Sequence, residues 1–527
     1  MRCKYSPVFS KWSRQVRPGF TQGTQRRTFS AFSYFAQSSN TPPSQSHPAQ
    51  RLRGMRDYYG DQLEKINFVI DQGSRTVEAF GFQPIQTPIL EPLELVKKGL
   101  GEDSDVISKE LYAFPDKNGS TVVLRPEGTA GTLRAFMENN ELQRVLPQRV
   151  YYHGPMFRRE RPQKGRLRQF HQFGVEFIGA CGYSADVEMI LSGYQFLNRV
   201  LQDPNGGQDG ASWFTNPLKD GPTCTLEINT LGSLAARQAY QESLKTYLEH
   251  HRDQLSTISV QRLATNPLRI LDSKHPEDRQ VLAQGPILYD YLTPQDRAQF
   301  DQITQCLQGM QIPYRVNPHL VRGLDYYEHT VWEFVCENHP ELGKTQTTVL
   351  AGGRYDRFLH YLGASPDWVG LGWAAGVERL TAILPTDDKA PWRNKPRPVV
   401  VMLVPDRVTP GNSDSGESRA SFTPNDLYQY GLQVANTLRQ RWAPLSSSLT
   451  GSVTPGVIFQ HPSARGPQAL SKALSKALKF NAQFIVLVGT AELEQGVVTV
   501  KHIDSKKQHR CTLAEAWEMM QNAYTLE

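Results

Sequence analysis

Between Arg158 and Arg168 the chain sets six basic residues against a single acid, Glu160, within the segment FRRERPQKGRLRQFHQFGVEFIG, Phe157 to Gly179. Guanidinium and ammonium groups gathered this densely suit phosphate. Pro162 and Gly165 break the run, so it reads as two strands joined by a basic loop. The second strand alternates: Phe170, Gln172, Gly174 and Glu176 share one face, and Phe173, Val175 and Phe177 share the other. The apolar face belongs to a core. The polar face offers in a row a ring, an amide, a gap and a carboxylate. A flat base could stack on Phe170 while a small polar molecule lies over Gly174, its anionic end toward the arginines. A solvated hairpin would explain the arginines but not the polar residues ranked opposite an apolar face, so an anion site is the preferred reading.

These residues need a scaffold, and the chain supplies one in pieces. Residues 61–80 carry Leu63, Ile66, Val69 and Ile70 at helical spacing and end at Gly81. FQPIQTPILEP, from Phe82, reads as a strand with Pro88 near an edge. Short strands and hairpins are expected up to about Ile228. From Leu231 to about Pro313 the pattern is mostly helical, interrupted by TNPLRILDSKHPED, and strands return at 320–335 and 346–352 before a helix after Gly376. A linker, Pro385 to Pro398, precedes a change of signal. Strands at 399–404, 456–459, 484–488 and 497–503 then alternate with helices at 427–442 and 468–479, the pattern of a small α/β domain. Two stretches, Arg407–Asn425 and Leu445–Pro455, are rich in Ser, Gly, Pro and Thr and read as loops, the first as disordered.

At 527 residues the chain can hold two or three domains with full cores. No apolar stretch approaches the ~20 residues of a transmembrane helix, so no membrane role is expected. The six cysteines are scattered without a CxxC pair, which argues against a disulfide framework or a zinc site. The histidines show no metal-ligand spacing, and the identity of any metal ligand stays unknown at this level. The formal net charge of +6 is a property of one end: the first 50 residues hold seven Lys/Arg and no acid. Setting these aside leaves 51 basic against 52 acidic residues, so any nucleic-acid contact must rest on patches such as 158–168.

The segment 157–179 resembles motif 2 of the class II aminoacyl-tRNA synthetases, in the form carried by the histidyl-tRNA synthetase family. Three further stretches agree and fall in the family's order. LRPEGTAG (Leu124 to Gly131) resembles its amino-acid-binding loop. LVRGLDYYEHTVWEF (Leu320 to Phe334) and AGGRYDRF (Ala351 to Phe358) resemble its histidine-specific signatures, and GWAAGVERL (Gly372 to Leu380) resembles motif 3. The likeness runs from about Arg51 to the C-terminus and is nearest the bacterial and organellar type. It implies an α+β catalytic domain, an antiparallel sheet flanked by helices, over 51–390 with a helical insertion at 231–313. A small α/β anticodon-binding domain over 396–527 follows. FQPIQTPILEP resembles motif 1, which implies a homodimer through that region.

Such an enzyme activates histidine with ATP and passes it to the 3′ end of histidine tRNA. The chemistry needs no protein nucleophile, only anions placed in line and charge held by arginines and Mg²⁺. By resemblance Arg158 bridges the substrate carboxylate and the α-phosphate, Arg322 is a second arginine at that phosphate, and Arg379 takes the γ-phosphate side. Phe170 stacks on adenine, Glu160 holds its amino group, and Arg166 completes the ATP site. Glu127, Thr129 and Gln172 hold the α-ammonium. Glu176 and Tyr327 read the two imidazole nitrogens, with Tyr326 and Tyr355 beside them. Arg161, Gln163 and Lys164 face the tRNA acceptor end. A bare reading of Glu378-Arg379 would be a helix-surface salt bridge, and of Tyr326-Tyr327 a strand pair with one ring in and one out. Trp373 and Ala375 depart from the family's usual Phe or Ile and Met, a plausible exchange of volume. The two Ser/Gly-rich loops leave the anticodon contacts open. The alternative function is a non-catalytic relative acting as a regulatory or accessory subunit; such relatives lack the C-terminal domain and usually lose key arginines, whereas Arg158, Arg322 and Arg379 are all present here.

Residues 1–50 are rich in Ser and Arg, with Phe9, Trp12 and Val16 near helical spacing and Lys11, Arg14 and Arg17 beside them. This is the composition of a mitochondrial transit peptide and implies the matrix as destination. Starting at Met55 would remove Arg53 and Gly54 of the family-like RGMRD stretch, so an internal start is not expected to give a second product. A cytosolic form from another transcript stays open. Residues 1–50 fused to a reporter should carry it into mitochondria, and replacing Arg14, Arg17, Arg26 and Arg27 with Glu should abolish import, as scored by fractionation.

Overall fold

The computed structural model describes residues 50–526 apart from internal stretches, of which 202–222, 405–422, 443–454 and 461–469 are the longest. Residues 1–49 of the leader, Lys164, and most of the two Ser/Gly-rich loops lie outside the described residues. The strands of the larger domain are β1 (Gln83–Pro84), β2 (Leu90–Pro92), β3 (Tyr112–Pro115), β4 (Thr121–Leu124), β5 (Gln148–Phe157), β6 (Gln169–Ile178), β7 (Thr223–Thr230), β8 (Tyr314–Val316), β9 (Glu328–Glu337), β10 (Thr348–Arg354) and β11 (Gly370–Gly376). Eight of them form one sheet in the order β1-β5-β6-β11-β10-β9-β7-β8, and β2, β4 and β3 form a small one. The five inner pairings are antiparallel. Only the end pairs β1–β5 and β7–β8 are parallel.

Alternation in β6 does what the sequence reading expected of it. Phe173, Val175 and Phe177 are buried on one face. There Phe173 stacks on Tyr151 at 5.6 Å and on Phe196 at 5.4 Å between centroids. Phe196 belongs to the helix Tyr183–Leu201, which with the helix Asp61–Ala79 covers this face. Trp373 of β11 joins the stack, 5.5 Å from Phe196, and its indole N–H donates to Ser192 Oγ at 2.9 Å. The large indole therefore fills the layer between sheet and helix, with Ala375 fully buried two residues on.

Register then fixes the opposite face. Glu176 pairs with Gly372, Gly174 with Ala374 and Gln172 with Gly376. A Cβ on Gly372 would stand 2.1 Å from Glu176 Oε2 and 2.4 Å from the Val175 carbonyl, so only glycine lets β11 pass this close to the carboxylate.

Three expectations change. FQPIQTPILEP is not one strand but β1 and β2 with an extended stretch between them, because Pro84, Pro88 and Pro92 each withhold a ladder N–H. The segment before Ile228 is not only strands and hairpins. It holds the helices Leu93–Leu100, Thr129–Glu138 and Tyr183–Leu201. In the last of these Val187, Ile190, Phe196, Leu197 and Leu201 are buried at helical spacing. The described residues between 320 and 327 form no strand either. The Asn229 side-chain amide donates to the Leu320 carbonyl at 3.0 Å, and Arg237 Nη1 donates to the Tyr327 carbonyl at 2.7 Å, so side chains replace a neighbouring strand. The insertion is helical as expected, with helices Leu234–His250, Thr257–Thr265, Pro276–Leu282 and Pro294–Gly309.

The smaller domain has a mixed sheet in the spatial order 457–460, 399–404, 484–489, 498–502, 508–511, parallel across the first three strands and antiparallel beyond. Val399 and Val401 enter one apolar cluster and Val400 and Met402 another. This strand is covered on both faces, which is why it reads as an unbroken apolar run.

Arg354 at the end of β10 and Asp186 in the helix Tyr183–Leu201 form an ion pair of 2.6 Å with side chains 3% and 0% exposed. Asp186→Asn leaves the buried guanidinium with the longer contact of 3.4 Å to Asp356 in place of its short ion pair. It should lower stability by about 3–5 kcal/mol, read as an earlier urea midpoint with unchanged slope.

Candidate active site

The polar face of β6, with β10 and β11 beside it, floors a cleft of about 680 Å³. The hairpin β5–β6 ends there: ten residue pairs run from Gln148↔Ile178 to Phe157↔Gln169, and residues 158–168 project beyond. The Arg158 N–H donates to the Arg168 carbonyl at 2.9 Å, and Gln163 and Arg166 close the tip through reciprocal backbone bonds of 3.2 and 2.9 Å. The tip carries Arg161 and Gln163 exposed to solvent. The base of the hairpin turns Arg158, Glu160, Arg166 and Phe170 into the cleft.

Backbone carbonyls steer the guanidinium groups. Arg158 Nε donates to the Pro126 carbonyl at 3.1 Å, and its guanidinium carbon lies 5.3 Å from the Phe170 ring centre. Arg379 Nη1 donates to the Thr348 carbonyl at 2.7 Å. Burial and the neighbouring Arg166 and Arg158 push Arg379 down to about 10, the signature of positive charges crowded together. Arg166 pairs with Glu160 at 2.7 Å. Arg322 pairs with Glu333 and lies 5.2 Å from the Tyr327 ring. Burial works against its charge, but Glu333 and the two tyrosine hydroxyls outweigh it and raise its pKa above the ordinary arginine value.

The α-amino end of a substrate would meet a different set. Glu127, Thr129 and Gln172 line the cleft. Glu127 is buried, and its two oxygens accept the N–H groups of Thr129 at 2.6 Å and Ala130 at 2.8 Å at the head of the helix Thr129–Glu138. Burial raises its pKa in spite of those bonds. The Gln172 side-chain oxygen is buried without a hydrogen-bond donor. Beneath this wall, rather than in it, lie Glu176 and Tyr355, each 1% exposed. Tyr355 Oη donates to Glu176 Oε2, and Tyr152 Oη donates to Oε1 at 3.2 Å. Burial pushes Glu176 up to about 8. Tyr326 and Tyr327 line the cleft above, their rings 4.5 Å apart.

Most of the candidate residues therefore converge. Arg158, Glu160, Arg166, Phe170, Glu127, Thr129, Gln172, Arg322, Tyr326, Tyr327 and Arg379 share one cleft. Tyr355 departs from its expected place along the pocket wall: its ring lies one layer deeper, behind Glu176. The bare readings fail. Glu378 bonds His171 and Tyr58 rather than pairing with Arg379. Tyr326 and Tyr327 are both buried instead of one in and one out.

Sequence reading missed several partners. Tyr152 was hidden in a strand that reads as ordinary, although its position opposite Gly174 leaves room for its ring over the gap. Arg125 went unassigned. It donates to the Thr87 carbonyl at 3.1 Å and the Pro155 carbonyl at 3.0 Å, tying the proline-rich segment to the hairpin. The insertion also reaches the cleft through Arg262, Asp272 and His275, which no local pattern announces.

Comparison with known proteins gives the family. The family described as Histidyl-tRNA synthetase matches residues 54–204, and an anticodon binding domain matches 464–523. The chain is 39% identical over 471 residues to a histidine–tRNA ligase of Rhodospirillum rubrum, spanning 89% of this chain and 98% of that one. The chain belongs to the histidyl-tRNA synthetase family. A histidine–tRNA ligase of Gluconobacter oxydans is 37% identical over 88% of this chain and 97% of its own length. The fold matches apo histidyl-tRNA synthetase of S. aureus with a TM-score of 0.64 and 25% identity, over 89% of this chain and 99% of that one. The class II synthetase fold and the C-terminal anticodon-binding domain expected from the motifs are therefore present.

The raised pKa of Glu176 has a consequence for stability. An acid whose folded pKa exceeds its unfolded value holds a proton in the native state that the unfolded chain releases. Between about pH 4.5, its ordinary value, and about 8, its contribution falls as pH rises, by at most ~1.4 kcal/mol per pH unit. Glu176→Gln should remove this slope, so the stability of wild type relative to the variant should decline from pH 5 to pH 8 in denaturant titrations of the empty enzyme. A constant difference would mean that Glu176 is ionised throughout.

Proposed function

We propose that this chain is a histidine–tRNA ligase, which forms histidyl-adenylate from histidine and ATP and transfers the histidyl group to the 3′ end of histidine tRNA. The observation that carries this reading is the Gln172 oxygen, buried without a donor, in a cleft shared with Glu127 and with Arg158, Arg322 and Arg379 among its arginines. An α-ammonium group supplies the missing donor, and Glu127 supplies the opposing charge.

In the first step the histidine carboxylate attacks the α-phosphorus of ATP and pyrophosphate leaves. Arg158 holds the carboxylate against the α-phosphate, Arg322 approaches that phosphate from the loop 320–327, and Arg379 receives the γ-phosphate side. Phe170 offers its ring to adenine and Glu160 accepts from the adenine amino group, beside Arg166. Arginines set in the cleft before substrate arrives would need little reorganisation as negative charge develops. Among the described residues no group of three or more His, Cys, Asp or Glu side chains gathers as a metal cage. That fits Mg²⁺ entering with the phosphates of ATP and taking one or two carboxylates at most. Glu333 is a cleft carboxylate suited to hold it, and the ion would neutralise phosphate charge.

The imidazole is read from below. Gly372 lines the cleft and lacks the side chain that would cover Glu176. An imidazole N–H donated to Glu176 favours its carboxylate form, so histidine binding is coupled to loss of the proton on that residue. Tyr327 answers the second nitrogen, and Tyr152 and Tyr355 hold the carboxylate in place. A pocket built on such hydrogen bonds rejects analogues lacking them by ~10⁴ or more.

The hairpin tip, where Arg161 and Gln163 are exposed, reads the acceptor end of the tRNA, and Lys164 follows them in sequence. A homodimer through the 82–92 segment is supported by the exposed side chains of Ile89 and Leu90, 42% and 48% accessible. The basic, acid-free leader supports the mitochondrial matrix as its location. A regulatory, non-catalytic relative would have no use for Arg158, Arg322 and Arg379 in one cleft.

Histidine-dependent exchange between ATP and labelled pyrophosphate tests the reading. Wild type should exchange. Arg322→Ala should lose ~10²–10³ of the exchange rate, with transfer from preformed adenylate better preserved. Gln163→Ala should keep exchange and lose aminoacylation of tRNA. Absence of histidine-dependent exchange in the wild type would sink the proposal.

A further inference from the structure

The ladder between β7 and β9 sets Cys224 directly opposite Cys336. Leu226 opposite Phe334 and Ile228 opposite Trp332 share their face, and all six residues are buried in one apolar cluster, so both sulfurs point to the same side. The kind of pairing follows from the other edge of β9. The Cys336 N–H donates to the Thr347 carbonyl at 2.8 Å, on the β10 side. In an antiparallel sheet a residue's N–H and C=O point the same way, so Cys336 turns neither toward β7, and its pair with Cys224 is of the non-hydrogen-bonded kind. Such pairs hold their Cα atoms about 4.5 Å apart with the side chains close together, within the roughly 4.4–6.8 Å that a disulfide spans. The Cys224 S–H donates to Cys336, which lowers the pKa of Cys336 and favours its thiolate; the same bond, with burial, raises the pKa of Cys224. A nucleophilic sulfur and a resolving thiol therefore face each other. Only the pair Thr223 with Glu337 lies beyond them at this end of the ladder, where strands open most readily and a water-sized oxidant can enter.

We propose that Cys224 and Cys336 are a redox-modification site, joined reversibly by a peroxide-class oxidant into a disulfide that clamps the two strands flanking the helical insertion. The Cys336 thiolate attacks one peroxide oxygen. The O–O bond breaks, Cys336 becomes a sulfenic acid, and the departing hydroxide takes up the thiol proton as water. The Cys224 sulfur then attacks the sulfenic sulfur. The S–S bond forms, the S–O bond breaks, and the hydroxyl leaves with the Cys224 proton as a second water. Two thiols lose two electrons in all, and the peroxide gains them. Between the joined residues the chain carries the helices Leu234–His250, Thr257–Thr265, Pro276–Leu282 and Pro294–Gly309. Closing so long a loop restricts the unfolded chain, so the bond stabilises the fold. A reducing compartment returns the thiols, which makes the clamp a response to oxidant and not a permanent staple. Neither the bond nor its effect depends on the reading of the cleft as a ligase.

The full chain, reduced and then freed of reductant, is treated with hydrogen peroxide in small molar excess, alkylated, and digested without reductant for mass spectrometry. A peptide linking Cys224 to Cys336, two hydrogens lighter than its reduced parts, should appear and should vanish with dithiothreitol. The bridged protein should melt roughly 5–10 °C above the reduced one. Cys224→Ala should show no such rise, and its Cys336 should advance to the sulfinic acid, whereas in wild type Cys336 stops at the disulfide. If Cys224→Ala does not fold, the wild-type peptide map and its reversal by dithiothreitol decide the matter alone. Three results would overturn the proposal: no linked peptide at a peroxide dose that oxidises the exposed Cys181, a link that forms only in unfolding urea, or Cys336 bridged to Cys306 instead. Bridged protein that melts no higher than the reduced form would overturn the clamp.

Discussion

Repulsion among arginines is the constraint that the rest of this structure accommodates. Arg158, Arg166 and Arg379 stand close enough that burial and mutual repulsion hold Arg379 at about 10. The Pro126 and Thr348 carbonyls help steer Arg158 and Arg379, while Glu160 and Glu333 pair with Arg166 and Arg322. The positive potential of the cleft is kept for something that arrives with negative charge. The cost is met by the surrounding scaffold. Antiparallel registers among β5, β6 and β11 fix the arginines, and the aromatic stack of Tyr151, Phe173, Phe196 and Trp373 holds the sheet from behind.

A second constraint runs in the opposite direction. Glu176 is a carboxylate taken almost wholly out of water, with the hydroxyls of Tyr355, Tyr152 and Thr129 as partners. Desolvation raises its pKa, which in the empty protein favours the neutral acid. One cleft thus contains cations awaiting an anion and, just below them, an acid able to lose a proton when a donor arrives. A zwitterionic substrate with a basic ring satisfies both demands at once, and neither ATP nor a simple amino acid does so alone.

Alternation in β6 made the two faces of the site legible, because period two is a direct geometric property of a strand. Spacing also exposed Pro162 and Gly165 as the break in the hairpin. The roles of Arg322, Arg379 and Glu127 came from resemblance, since nothing local distinguishes a cleft arginine from one on a helix surface. Tyr152 stayed hidden because its importance lies in the register that sets it beside Glu176 and Gly174, a non-local fact. The carbonyls of Leu320 and Tyr327 are held by Asn229 and Arg237, about 90 residues away in sequence. The prolines at 84, 88 and 92 did announce that a single long strand was untenable, and their spacing was the signal to weigh more heavily.

Residues 54–58 show how the site extends beyond its motifs. Gly54 accepts the Arg168 N–H at 2.8 Å with φ +86°, and a Cβ there would meet Pro162 at 2.8 Å. Four residues later, Tyr58 donates to Glu378 at 3.1 Å, and Glu378 also accepts the backbone N–H of His171 and approaches its ring nitrogen at 2.8 Å. Residues 54–58 therefore clasp the basic hairpin at one end and the helix carrying Arg379 at the other. A chain starting at Met55 lacks the glycine that makes the first contact. Because Arg168 closes the hairpin by accepting from Arg158, loss of its support at Gly54 is transmitted directly to the arginine at the centre of the cleft.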